Sequence, residues 1–266
     1  MKFRPQLRGD ESADANPSAD LLHAHLSAVY ALAQNSSHVF ASPLGPVRFG
    51  ARHAYLPRFV FFGPHASDES WRLAFLAGFD RRDLRPAHAV LALVQRLAAQ
   101  ADTGHGLHLT FFPVVDAAGA FLGAPDRGLA GHHWGRSPAP EIGLLEKEIR
   151  QCSYHGFIRV ETAPPGEEAA TIRLWGSVAD HLVPDLELIT TEDIEAFPVR
   201  FEVGPAGGNP AAGPLSVADD LAVAPFELDL RIPASWSDEQ YQHAVGVLLQ
   251  RFLWRYRAFQ AYGQHL

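Results

Sequence analysis

The chain has 266 residues, 47% hydrophobic and 11% aromatic, enough to bury one large core and close to the upper size of a single domain. With 30 acidic against 22 basic residues the net charge is -8, and the basic residues form no run interleaved with aromatics, which argues against nucleic acid or an anionic membrane as partner. Cys152 is the only cysteine, so an intrachain disulfide and a thiolate metal cluster are both excluded, as suits a cytoplasmic protein.

The first 17 residues read as a polar leader to one domain spanning 1–266, without the apolar segment of a signal peptide. From 18 to 34, Leu21, Leu22, Leu26, Val29, Tyr30 and Leu32 recur at helical spacing behind a Ser18 or Asp20 cap. The segments HVFAS, PVRFG and YLPRFVFFG follow with Gly and Pro between them, a meander leading into a central strand. Residues 69 to 79 and 86 to 101 read as helices, the second opened by Pro86. LHLTFFPVV is a strand, 116 to 137 is irregular, and a helix runs from the SPAPE segment to about 151. GFIRVET and ATIRLWG are strands, and the Gly/Pro/Ala-rich residues 203 to 217 form a surface loop. PFELDLRIP is the last strand, and the capping box Ser237-Asp238-Glu239-Gln240 opens a long closing helix. Short apolar strands alternating with helices define an α/β class, a three-layer sandwich around a mixed, largely parallel sheet.

In such sheets ligands bind beyond the carboxyl ends of the strands, where loops converge on a rigid support. FVFFGPHASDES, residues 59 to 70, places His65, Asp68 and Glu69 after an apolar strand. Glu161 closes GFIRVET, and Asp229 lies within PFELDLRIP. One histidine and several carboxylates match the donor count of a catalytic zinc, which takes three protein ligands and keeps a position for water. The bland alternative for Asp68 and Glu69 is a helix start, where the dipole favours acids.

The order of these segments resembles the zinc carboxypeptidases and their deacylase branch, the succinylglutamate desuccinylase and aspartoacylase type, from about residue 38 onward. GPHASDES stands for that family's Gly-x-His-x-x-Glu metal motif, PVVDAAG (113 to 119) for its Pro-x-x-Asn-x-x-Gly turn, and LAGHHWGRSPAPE (129 to 141) for the segment leading to a Pro-Glu helix start. The resemblance implies a zinc-carboxypeptidase-like fold and hydrolysis of an amide by metal-activated water. Zn would be held by His65, by Asp68 or Glu69, and by Glu161 in place of the third histidine. Asp229 would stand for the catalytic glutamate as general base. His132 or His133, with Arg127 nearby, would contact the acidic end of a small peptide or acyl amino acid. The chain departs from the pattern where Gly131 and His132 replace the carboxylate-gripping Asn-Arg, where Glu161 replaces His, and where Asp229 replaces Glu. Two further expectations follow from these departures. Carboxylate-rich ligation suits harder ions such as Mn or Mg, and a catalytically inactive binding or scaffold module is the alternative function.

Overall fold

The computed structural model describes residues 17–67, 70–129, 138–176, 179, 182–183, 197–204 and 225–263. Among the described residues, ten strands and five α-helices follow one another as α1 (Pro17–Asn35), β1 (Val39–Ala41), β2 (Leu44–Phe49), β3 (Arg52–Leu56), β4 (Phe59–Phe62), β5 (Trp71–Leu76), α2 (Arg85–Ala99), β6 (Leu107–Phe112), α3 (Ala117–Leu122), α4 (Pro140–Cys152), β7 (Gly156–Thr162), β8 (Ala170–Trp175), β9 (Val199–Val203), β10 (Phe226–Ile232) and α5 (Asp238–Gly263). Eight strands form one sheet in the order β1-β4-β6-β5-β7-β10-β8-β9, and β2 pairs with β3 in a separate hairpin. The four central strands β6, β5, β7 and β10 are mutually parallel, whereas β1, β4 and β8 run against their inner neighbours. The sheet is thus mixed and largely parallel, as the alternation of elements implies.

Strand alternation sorts the core into two layers. Leu73, Phe75, Leu109, Phe111, Ile158, Val160, Leu228 and Leu230 face α1, α2 and α5, whose Leu22, Leu26, Val90, Val94, Leu249 and Phe252 complete the larger cluster. Ala74, Leu76, Phe112 and Phe157 face the other way, onto Ile142, Leu145 and Ile149 of α4. The start of α5 is fixed as its sequence implies: the Gln240 N–H donates to Ser237 Oγ (3.2 Å) while the Ser237 N–H donates to Gln240 Oε1 (3.0 Å).

Two sequence expectations need correction. Where a helix is expected from residue 69 to 79, the described residues 70 to 79 contain the strand β5. From Leu73 to Leu76 every residue is buried, on alternating faces. A short apolar run covered on both sides has no period that separates strand from helix. Second, β4 is not a central parallel strand. It lies next to the edge and antiparallel to β6, which reverses the end of the sheet to which its following turn belongs. β9 carried no strand expectation, and residues 205 to 217, most of the expected surface loop, lie outside the described residues.

Candidate functional site

The parallel strands β5, β6, β7 and β10 bring their carboxyl ends to one edge of the sheet. Backbone bonds tie these ends together: the Val115 N–H donates to Ala77 O (2.9 Å), the Asp116 N–H to Gly78 O (2.9 Å), and the Ala163 N–H to Ile232 O (2.8 Å). His65 is not there. Phe62 pairs with His108 and His108 with Arg72, so β4 ends level with the beginnings of β5 and β6. The Gly106 N–H donates to Pro64 O (2.8 Å), His65 is exposed with φ 60°, and its ring lies 4.9 Å from that of His105. Glu161 lies beyond the level of Leu76, which pairs with the residues around Arg159. Along the strands this separates His65 from Glu161 by about six residue steps, roughly 20 Å at about 3.3 Å each. A metal set of His65 with Glu161 is therefore not formed. Asp68, Glu69, His132 and His133 lie outside the described residues.

Glu161 and Asp229 do come together. Asp229 pairs with Arg159 and Arg231 with Glu161 across the β7/β10 ladder, which puts all four side chains on one face. Asp229 is 1% exposed, and its Oδ2 accepts from Arg231 Nη2 (2.7 Å). Among the described residues its Oδ1 has no hydrogen-bond partner. Glu161 is ion-paired with the buried Arg159, whose guanidinium also lies 4.9 Å from the Phe79 ring centre. Burial pushes the Glu161 carboxyl above its ordinary range, and the Asp229 charge adds to this against Arg159 and Arg231.

The strand that does end beside Glu161 is β5, and its sequel is Gly78-Phe79-Asp80-Arg81-Arg82-Asp83. This has the Gly-x-His-x-x-Glu spacing with aspartate at both donor positions, which a search for histidine passes over. Gly78 has φ +63°, and a Cβ there would lie 2.6 Å from Pro113 O and 2.9 Å from Val114 Cα, so the turn requires glycine. Asp80 accepts from Arg82 Nε (3.1 Å), and Arg82 Nη2 reaches on to Asp126 (2.6 Å). Asp83 is gripped bidentately by Arg85 (3.0 and 2.9 Å), and Arg85 Nη1 also donates to Ala234 O (3.1 Å) beyond β10. Burial would raise the Asp83 carboxyl, but hydrogen bonds from Arg85 and Thr162 outweigh it and hold the group below its ordinary value. Thr162 Oγ1 lies 3.3 Å from the Tyr241 hydroxyl of α5, so the sequels of β5, β7 and β10 are stitched together through side chains.

Arg127, expected near the substrate, belongs to a second network. Its Nη2 donates to Asp116 Oδ1 and Glu141 Oε1 (both 2.6 Å), and its Nη1 donates to Glu141 Oε2 (2.9 Å). Asp116 caps α3 by accepting from the Gly119 N–H (2.9 Å), and Glu141 accepts from the Ala118 N–H (2.9 Å). A Cβ on residue 119 would lie 1.9 Å from Asp116 Oδ2, which explains the glycine in PVVDAAG. Both terminal nitrogens of this guanidinium are thus engaged by two buried acids, while among the described residues its buried Nε has no hydrogen-bond partner.

The zinc that the resemblance implies does not fit the residues present at this edge. The acids there, Asp80, Asp83 and Glu161, are each bonded to an arginine. Among the described residues no group of three or more His, Cys, Asp or Glu side chains is arranged to hold a metal ion.

No family model and no curated protein matches the sequence. Solved structures do match the fold. A metallo-carboxypeptidase from Burkholderia cenocepacia superposes with a TM-score of 0.65 at 14% identity, covering 89% of this chain and 68% of that one. A metallo-carboxypeptidase from Pseudomonas aeruginosa in complex with (2-guanidinoethylmercapto)succinic acid gives 0.58 at 13%, covering 87% and 67%. Thrombin activatable fibrinolysis inhibitor gives 0.62 at 10%, covering 89% and 73%. The chain therefore has a metallo-carboxypeptidase-like fold. Among its described residues no helix is long and apolar enough to cross a membrane.

Proposed function

We propose that this chain is a non-hydrolytic member of the carboxypeptidase-like fold, a binding or scaffold module in which arginine–carboxylate pairs stand where a metal centre would be. One observation carries the reading. Each of the four carboxylates Asp80, Asp83, Glu161 and Asp229 is bonded to an arginine two positions away in sequence, namely Arg82, Arg85, Arg159 and Arg231. A carboxylate already bonded to guanidinium must give up a charge-assisted hydrogen bond before it can ligate a cation. At the buried pairs that exchange also strands an arginine without its counter-charge.

The test is metal uptake together with turnover. Protein incubated with zinc, then with manganese, and desalted should retain no stoichiometric ion. It should release no amino acid from peptide carboxyl termini or from N-acyl amino acids, the substrates of the carboxypeptidase and deacylase branches. One equivalent of metal that disappears in Glu161→Gln, accompanied by hydrolysis of either substrate class, would overturn the reading.

A further inference from the structure

Helix α1 meets α2 through two imidazoles. His25 Nδ1 lies 3.0 Å from His88 Nδ1, the ring centres are 5.2 Å apart, and the planes are 20° from parallel. On its far side His25 Nε2 is 3.1 Å from Gln95 Oε1. The proton count follows from these contacts. An amide oxygen only accepts, so His25 Nε2 carries a hydrogen. A hydrogen bond between two Nδ1 atoms needs a lone pair on one of them, so one proton lies between the rings. With His25 neutral, His88 donates it. With His25 charged, His25 donates it and His88 stays neutral. A second added proton puts N–H groups on both sides of the contact, and two cations then face each other in a half-buried seam.

We propose that the His25/His88 pair is a pH-operated latch, in which protonation of both rings opens the α1/α2 seam and loosens helix α1 while the sheet stays folded. Charges facing the pair come from each element packed around it. Asp238 at the start of α5 favours the His88 cation, and burial together with His25 opposes it. On α2, Arg85 lies one turn before His88, with its own charge engaged by Asp83. Gln95 is neutral. On α1, Asp20 and His23 lie within about a turn and a half of His25, and the Asp20 charge favours the His23 cation against burial. The response is a loosening and not a release, because Leu22, Leu26 and Val29 remain buried in the core beneath α1 whatever the imidazoles carry.

Hydrogen exchange of the full chain at pH 7.5 and 5.0, corrected for intrinsic rates, tests this. In the wild type, α1 should lose about tenfold in protection relative to α5 at the lower pH. The loss should shrink to less than about twofold in His25→Gln and in His88→Phe, which keeps a ring in place but takes no proton. Equal relative protection of α1 at both pH values in the wild type overturns the proposal, as does an undiminished loss in both variants. Should a variant be misfolded at pH 7.5, 15N-histidine spectra of the wild type decide. The latch requires His25 to carry its hydrogen on Nε2 at pH 7.5 and the two rings to titrate in coupled steps. Independent titration of the rings overturns it.

Discussion

Replacing Arg127 by methionine removes one charge from between two buried acids and keeps most of the side chain's apolar length. Asp116 and Glu141 are 4% and 0% exposed at the side chain, so neither can turn to solvent for compensation. Removing one partner of a buried pair typically costs about 3–5 kcal/mol, because the remaining charge is left uncompensated. Each acid keeps a backbone donor, Gly119 N for Asp116 and Ala118 N for Glu141, which sets the expected loss near the lower end, about 3 kcal/mol. For a chain of this size that corresponds to a fall in Tm of about 6–12 °C. The loss should also depend on pH. In the wild type burial raises the Asp116 carboxyl above its ordinary range, opposed by Arg127 and the Gly119 N–H, with Glu141 adding to the rise. Without the arginine the rise is larger. A carboxyl raised in the folded state destabilises at pH values above that raised pKa, and the penalty fades as pH falls through it toward the unfolded value. Urea denaturation of wild type and Arg127→Met at pH 7.5 and 5.0 should therefore give the smaller difference at pH 5.0. A difference within the roughly 1 kcal/mol of an exposed pair, or one equal at both pH values, would refute the reasoning.

Acid should weaken the fold through His108, which burial and then Arg72 hold down at about 4 against the opposing Glu148. The sign is that of a lowered base: the unfolded chain takes the proton first, so stability is complete above pH 6.5 and is lost as pH falls toward about 4. The limit of about 3 kcal/mol set by the shift falls to about 1 kcal/mol after solvent screening of a half-buried ring. His108→Phe should flatten the slope of stability against pH between 6.5 and 4.5, and unchanged slopes in urea titrations would remove His108 as the cause. Gly78→Ala should cost more than about 2 kcal/mol, combining a left-handed backbone with a Cβ driven into the backbone of Pro113 and Val114. An unchanged denaturation midpoint would show that the β5 and β6 sequels do not approach as described.

The parts of the fold legible in the sequence are those in which one face is buried and the other is not, or in which a local signal marks an end. α2 carries its apolar stripe behind Pro86, α5 opens on its capping box, and β7 coincides with GFIRVET. The turn PVVDAAG was legible as a motif, and the reason for its form emerges with Asp116 capping α3 over Gly119. β5 was not legible, since burial on both faces erases the period. His65 drew the motif to the turn after β4 because its Gly-x-His frame follows an apolar run and precedes Asp68 and Glu69. Strand direction, which only pairing with β6 reveals, places that turn at the far end of the sheet. Asp80 and Asp83 follow Gly78 at the same spacing, with aspartate where the motif has histidine and glutamate. The arginines two places from each acid were visible throughout, but their pairing depends on which side chains share a face.

A metal ion joins residues that are distant in sequence, and its ligation is lost when the chain unfolds. The pairs here are the opposite: Arg159 with Glu161 and Arg231 with Asp229 are neighbours on a single strand. A pair so close in sequence can form in an extended unfolded segment as well as in the sheet, and therefore does little to make β7 and β10 fold as a unit. The coupling between the strand ends is carried instead by the β7/β10 ladder, by backbone bonds such as that from the Ala163 N–H to Ile232 O, and by the side chains that cross between elements, Arg85 on the Ala234 carbonyl and Thr162 beside Tyr241. Pairing within a strand thus leaves the cooperativity of this edge to backbone pairing and to these hydrogen-bonded crossings, and not to the ion pairs themselves.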